Sequence, residues 1–215
     1  MPSTLVHFAV AGLIAGTLLH DEFDVRSLGA VLAVTAIPDL DAFLSPVFEG
    51  AHRAALHTLL VPVALAALFV YDLRRDRSLV RRRFGDRGVA VGWVSLVALV
   101  FAGILPDVAH TGANLLYPLH DRFYTLEGHL LISDQRGVVQ TFVDLSPEPP
   151  GGGSSEPAET TNNTHHPSAV DPAPDDEPED VERKLWIVGS GERLLLMATS
   201  ACVVSARLVE GRLRR

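Results

Sequence analysis

Apolar residues gather into five blocks, Leu5 to Leu19, Leu28 to Leu44, Leu56 to Tyr71, Val89 to Leu105 and Leu194 to Val209, and nearly vanish from Leu145 to Lys184. Each block approaches the roughly 17 to 25 residues that a helix needs to cross about 30 Å of hydrocarbon, the first and last being the shortest. The pattern predicts an all-α integral membrane protein with five transmembrane helices. After the fourth block, the runs Leu130-Leu131-Ile132 and Val138-Val139-Gln140-Thr141-Phe142-Val143 flank Asp134-Gln135-Arg136-Gly137, which predicts a small extracytoplasmic β-hairpin. The next stretch is rich in Pro, Gly, Ser, Thr, Asn, Asp and Glu and has too little apolar surface to offset the entropy of ordering. Disorder is expected there. The chain therefore divides into a four-helix membrane domain at 1–126, the hairpin at 127–144, a disordered acidic linker at 145–184, and a last helix with a basic tail at 185–215.

Arginine positions orient these elements. The segment Arg74 to Arg87 carries seven arginines and is cytoplasmic by the positive-inside rule. Arg212, Arg214 and Arg215 in the tail fall on the same side if the five helices alternate. The N-terminus is then extracytoplasmic, the C-terminus cytoplasmic, and the protein a multi-pass resident of the cell membrane. The start of the chain lacks a basic n-region, so it reads as a retained first helix rather than a signal peptide. The net charge of -8 resides largely in the linker and argues against a nucleic-acid partner. A lone Cys202 excludes an intramolecular disulfide and a cysteine metal cluster.

This orientation sends four polar clusters to one face. They are His7; Asp39 and Asp41 after Pro38; His52, Arg53 and His57; and Asp107 with His110. Ionisable groups at membrane depth cost about 2.5 to 3.5 kcal/mol each on insertion scales, and a shared metal would account for them. Carboxylate oxygen and neutral imidazole nitrogen suit zinc and related divalent ions, from one to three of them. Pro38 breaks or bends the second helix, which lets both carboxylates reach inward where an unbroken helix would part them. His52 belongs to the loop and His57 to the first turn of the third helix. Asp107 and His110, three apart, are neighbours if the helix continues past Pro106. Plainer readings stand beside these: Asp39 as a helix cap, Arg53 and the histidines as interfacial residues, and His7 as a buried hydrogen-bonded imidazole. Asn114, Tyr117, His120 and Asp121 lie just beyond, in reach of a substrate. His129 has no evident partner, and His165 and His166 are bystanders in the linker.

No His-Glu-x-x-His, glycine-rich phosphate loop or Gly-x-Ser-x-Gly elbow occurs, which leaves metal-activated water as the chemistry. The pattern of an early His, Pro-Asp-x-Asp, His-Arg-x-x-x-His-Thr, and a later Asp before Gly-x-x-Leu-Leu-Tyr-Pro resembles the YdjM-type family of membrane-bound, metal-dependent hydrolases. It is carried by His7, Asp39, Asp41, His52, Arg53, His57, Thr58, Asp107 and Gly112 to Pro118, within about Met1 to Phe123. The family is similar in motif to zinc-dependent phospholipase C, which implies hydrolysis of a phosphoester, a phospholipid headgroup among the substrates. One departure is Gly103, where the family commonly has a histidine four residues before the aspartate; His110 is the candidate replacement. The resulting expectation places His7, Asp39, Asp41, His52, His57, Asp107 and His110 on metal, Asp41 or another carboxylate as general base, and Arg53 on the developing charge. A non-catalytic membrane metal-binding transporter, sensor or scaffold is the alternative.

Overall fold

Five helices follow one another: α1 (Thr4–Leu18), α2 (Val25–Thr35), α3 (Leu60–Arg74), α4 (Leu79–Val108) and α5 (Gly191–Leu213). They come from a computed structural model that describes residues 3–48, 50–109, 112–128, 130–135, 137–142, 159–168, 170–171 and 187–213. By length and composition, α4 with 30 residues and α5 with 23 are the two described helices able to cross a membrane. At 15, 11 and 15 residues, α1, α2 and α3 are shorter than the roughly 20 residues of an untilted span. Five helices therefore stand in place of the predicted five spans.

Two helices are shorter than their apolar blocks for identifiable reasons. Pro38 has no N–H to continue α2, so the Ile37 N–H turns to the Val34 carbonyl at 3.2 Å and a 3₁₀ turn, Pro38–Phe43, takes over. α3 starts at Leu60 rather than Leu56, and His57 lies ahead of it. The N–H groups of Arg53 and Leu56 bond to Asp41, and that of Leu59 to the Leu115 carbonyl at 2.9 Å, so this loop is tied to distant segments. Asp24 caps α2, its Oδ1 accepting from the N–H of Arg26 and of Ser27 at 2.9 Å each. Asp72, at the end of α3, accepts from Ser78 Oγ and from the N–H groups of Leu79 and Val80, which closes the turn into α4.

Packing relies on small residues. Ala11, Ala15, Val31, Ala98 and Ala102 are fully buried where α1, α2 and α4 meet. α5 lies parallel to α1. Ser3 Oγ donates to the Ile187 carbonyl at one end, Ser200 Oγ donates to the Ala9 carbonyl midway, and Arg207 donates to the His20 carbonyl at the other. A Cβ on Gly12 would stand 3.0 Å from Ser200 Oγ, so the close approach depends on that glycine. The helices thus have two distinct ends. One gathers Asp24, Arg26, Arg87, Leu208 and Arg212 around a shallow groove. The other gathers His7, the Pro38–Phe43 turn, the 44–59 loop and Asp107.

Beyond that second end, β1 (Leu130–Ser133) pairs antiparallel with β2 (Gly137–Gln140), Leu131 opposite Val139, as the alternation around the Asp134 to Gly137 turn predicts. The expectation of disorder throughout 145–184 does not hold for 159–168. The Phe123 N–H donates to the Glu159 carbonyl at 3.0 Å, and Thr161 bonds to Asp121 through both its N–H and its hydroxyl. Local polar bonds offset ordering entropy here where apolar burial is scarce. The remaining linker positions, apart from 170–171, lie outside the described residues.

Candidate metal centre

The chain builds its polar site by freeing one carbonyl. In a regular helix the Ala102 carbonyl would accept from residue 106, but that residue is Pro106, which has no N–H. α4 adopts a π segment over Leu99–Ile104 at this point, and His7 Nδ1, from α1, donates to the Ala102 oxygen. With Nδ1 engaged there, His7 directs Nε2 toward the carboxylates. Nε2 stands 3.4 Å from Asp107 Oδ2 and 3.9 Å from Asp39 Oδ1. His7 and Asp107 are almost completely buried. Gly103, next in the π segment, faces the end of α2: a Cβ would lie 2.8 Å from the Thr35 carbonyl oxygen. No histidine fits there.

The 3₁₀ turn sets Asp39 and Asp41 on opposite sides of His57. Asp41 is fully buried and accepts from His57 Nδ1 at 2.8 Å, His52 Nδ1 at 2.9 Å, and the N–H groups of Arg53 and Leu56 at 3.0 and 3.4 Å. Both imidazoles are thereby fixed with Nδ1 protonated and Nε2 turned away from Asp41. His57 Nε2 then lies 3.2 Å from Asp107 Oδ2 and 3.9 Å from Asp39 Oδ1. Arg53 sits between them at φ +65°, a conformation that costs a non-glycine residue about 1 to 2 kcal/mol. Its NH2 pairs with Asp107 Oδ1 at 3.0 Å, and its carbonyl accepts from the Asn114 N–H at 2.8 Å. That strain turns a long cation inward, where it is only 1% exposed.

His7, Asp39 and Asp107 form a group that could hold a metal ion, their ligand atoms lying within 4.8 Å of one another. The donor atoms fit such an ion. In a tetrahedral zinc site with bonds of 2.0 to 2.1 Å, neighbouring ligand atoms are about 3.4 Å apart. Here the contacts of His7 and His57 Nε2 with Asp39 and Asp107 run from 3.2 to 3.9 Å. Asp39 Oδ2 is buried without a partner among the described residues.

A family model describing the YdjM inner membrane protein matches residues 1–163. The chain belongs to the YdjM inner membrane protein family. Membership and the two long apolar helices make it a membrane protein. Neither the curated proteins nor the solved structures include a match.

Of the residues singled out from sequence, the structure brings His7, Asp39 and Asp107 into one group, and His57 Nε2 reaches the same two carboxylates without joining that group. Asp41 stands behind the histidines and Arg53 behind Asp107, while His52 aims its Nε2 elsewhere. His110 lies outside the described residues, as does His129. Asn114 and Asp121 bond to each other at 2.7 Å. His165 and His166, dismissed from sequence as bystanders, both bury their Nε2 atoms. The only sequence signal for them was a paired histidine in a stretch otherwise without imidazole, too weak to act on.

Proposed function

We propose that this membrane protein is a metal-dependent hydrolase of phosphoesters, lipid headgroups being the substrate class that its position suits. The observation that carries the reading is the His7 and His57 Nε2 pair, each oriented from behind and each aimed at two carboxylates. His7, Asp39, His57 and Asp107 would hold a divalent ion, and nitrogen with carboxylate oxygen favours zinc. Such an ion, when bound, supplies Lewis acidity and brings the pKa of water toward about 7. Asp41 orients two imidazoles and has its oxygens filled by donors. The proton-accepting role therefore passes to Asp39, whose second oxygen has no partner among the described residues. Arg53 supplies positive charge from behind Asp107 for an anionic substrate. Phe43, Val47 and Phe48, each at least 65% exposed, form an apolar rim beside the Asp41 turn that suits acyl chains.

In this reading the site faces outward, because the arginine-rich turn and Arg212 collect at the opposite end of the helices. In intact cells, cysteine placed at Ser154 would react with an impermeant maleimide and cysteine at Arg77 would not; the reverse would invert the topology. For activity, the protein purified in detergent is assayed for bound metal and for hydrolysis of a chromogenic phosphodiester and of phospholipids, alongside Asp39→Ala. Metal with turnover, the turnover lost in the variant, is the expected result. Metal without turnover across a broad panel would shift the reading to a metal transporter or sensor.

A further inference from the structure

Four further buried polar atoms have no hydrogen-bond partner among the described residues: Arg53 Nε, His52 Nε2, His165 Nε2 and His166 Nε2. Arg53 and His166 are 1% and 9% exposed. A guanidinium N–H is always a donor, so only a group bearing lone pairs can answer it. Two of these imidazoles come from the 159–168 segment, a strap held against Asp121, Phe123 and Gly50.

The strap is anchored by a continuous chain of bonds. Thr161 donates from its N–H at 3.1 Å and its hydroxyl at 2.6 Å to Asp121. Asp121 accepts from Asn114 Nδ2 at 2.7 Å, and the Asn114 N–H donates to the Arg53 carbonyl at 2.8 Å. Gly50, at φ +67°, meets the strap backbone to backbone: a Cβ there would stand 2.1 Å from the Thr161 carbonyl oxygen. The His166 ring packs edge-on against Phe123 with centroids 4.7 Å apart. It lies near enough to Arg53 and His52 for both to act on it: burial, then Arg53, then His52 push its imidazole down to about 3. The Arg53 and His52 contributions outweigh the opposing one of Asp107, which makes the spot unfavourable to a second cation.

We propose that the strap completes a seat for a phosphoryl oxyanion beside the metal group, with Arg53 Nε–H and the Nε2–H tautomer of His166 as donors and His52 lining the far side. The strap thereby makes part of the substrate-binding surface. The matched family residues end at 163, so His166 lies outside them. The inference rests on the phosphoester reading for its ligand. Phosphate binding is nevertheless measurable apart from the metal.

The test uses the full chain in detergent, titrated calorimetrically with inorganic phosphate and with dihexanoylphosphatidylcholine, while bound metal is measured separately. Loss of one charge-assisted bond should weaken binding by about tenfold or more in His166→Ala at unchanged metal content. Thr161→Val, which cuts the strap's anchor and touches no ligand, should weaken it by a smaller factor. If His166→Ala does not fold, Thr161→Val decides alone. Binding of either ligand that depends on these residues supports the seat, and which ligand binds tells a free phosphate from a headgroup. Wild-type protein that holds metal but binds neither, or folded variants that bind as wild type does, would overturn it. A metal-free wild type with His166-dependent phosphate binding would sink the hydrolase reading and leave the seat standing.

Discussion

The two ends of the helical assembly use the same residue types to opposite purpose. At one end Arg53 and Asp107 pair in almost complete burial, and His7, His57 and Asp41 are equally hidden. At the other, Arg87 meets Asp24 and Glu22 with side chains 23% to 43% exposed. Solvated pairs of the second kind contribute roughly 0 to 1 kcal/mol. Buried groups of the first kind cost several kcal/mol in lost hydration, and an apolar replacement would serve stability as well or better. The site end is therefore not arranged for stability. Its orphaned acceptors, positive-φ arginine and π segment all make sense as preparation for a ligand.

The largest effect should come from removing the charge that joins the cation-binding atoms to the arginine. Asp107→Asn should lose bound metal and leave Arg53 buried without its carboxylate. Breaking a buried pair from one side costs about 3 to 5 kcal/mol. Elemental analysis and a thermal melt in detergent read the two effects. A variant that keeps both metal and melting temperature would make the site end no different from the arginine end.

Asp41→Asn comes next, because Asp41 shapes the site without facing the ion. Its amide can accept from only one side, so His52 or His57 loses its fixed tautomer. Replacing a carboxylate behind a metal-bound histidine typically weakens metal affinity about 10- to 100-fold. Competition with a chromophoric chelator measures that loss, and unchanged affinity would show that Asp41 merely fills space.

Much of this site was legible in the residue pattern, for a physical reason. Charge at the edge of apolar blocks is costly enough to be conspicuous, so His7, Asp39, Asp41, His52, His57 and Asp107 stood out. Their division of labour was not legible. Whether Asp41 faces an ion or two Nδ1–H groups depends on a 3₁₀ turn whose phase Pro38 announces but does not set. The five helices followed from the apolar blocks, and Pro38 marks where α2 ends, yet α3 starts late because the segment ahead of it bonds to distant partners, which no local pattern reports. The strap was missed altogether. Its ordering comes from Thr161, Asp121 and Asn114, polar residues that composition alone assigns to a solvated loop.

Gly103 allows a smaller test within the site end. A methyl group added there would lie 2.8 Å from the Thr35 carbonyl oxygen, a backbone atom that cannot swing aside. Gly103→Ala should therefore lower stability by about 1 to 3 kcal/mol as α4 is pushed from α2. Gly103→His should do worse and gain no metal, since the side chain has no room to reach the ion. A stable, metal-rich Gly103→His protein would mean that the π segment is not packed on α2 as described.

The arginine end should yield the least, and its pH dependence has a definite sign. The hydrogen bond from Arg87 holds the Asp24 carboxyl down from 3.8 to about 2, with the Ser27 and Arg26 N–H groups adding to it. A carboxyl depressed in the folded state stabilises it fully above its unfolded pKa and loses that contribution as pH falls through the folded one. The window therefore runs from 3.8 down to about 2. Asp24→Ala should cost about 1 kcal/mol at neutral pH, the usual worth of a helix cap, with little more from the partly exposed ion pair. Thermal melts across that window should converge for wild type and variant as acid removes the carboxylate from the wild type. If instead the wild type keeps its full advantage at the acid end, the neutral cap bonds, not the charge shared with Arg87, carry the contribution, and the two ends would differ in burial alone.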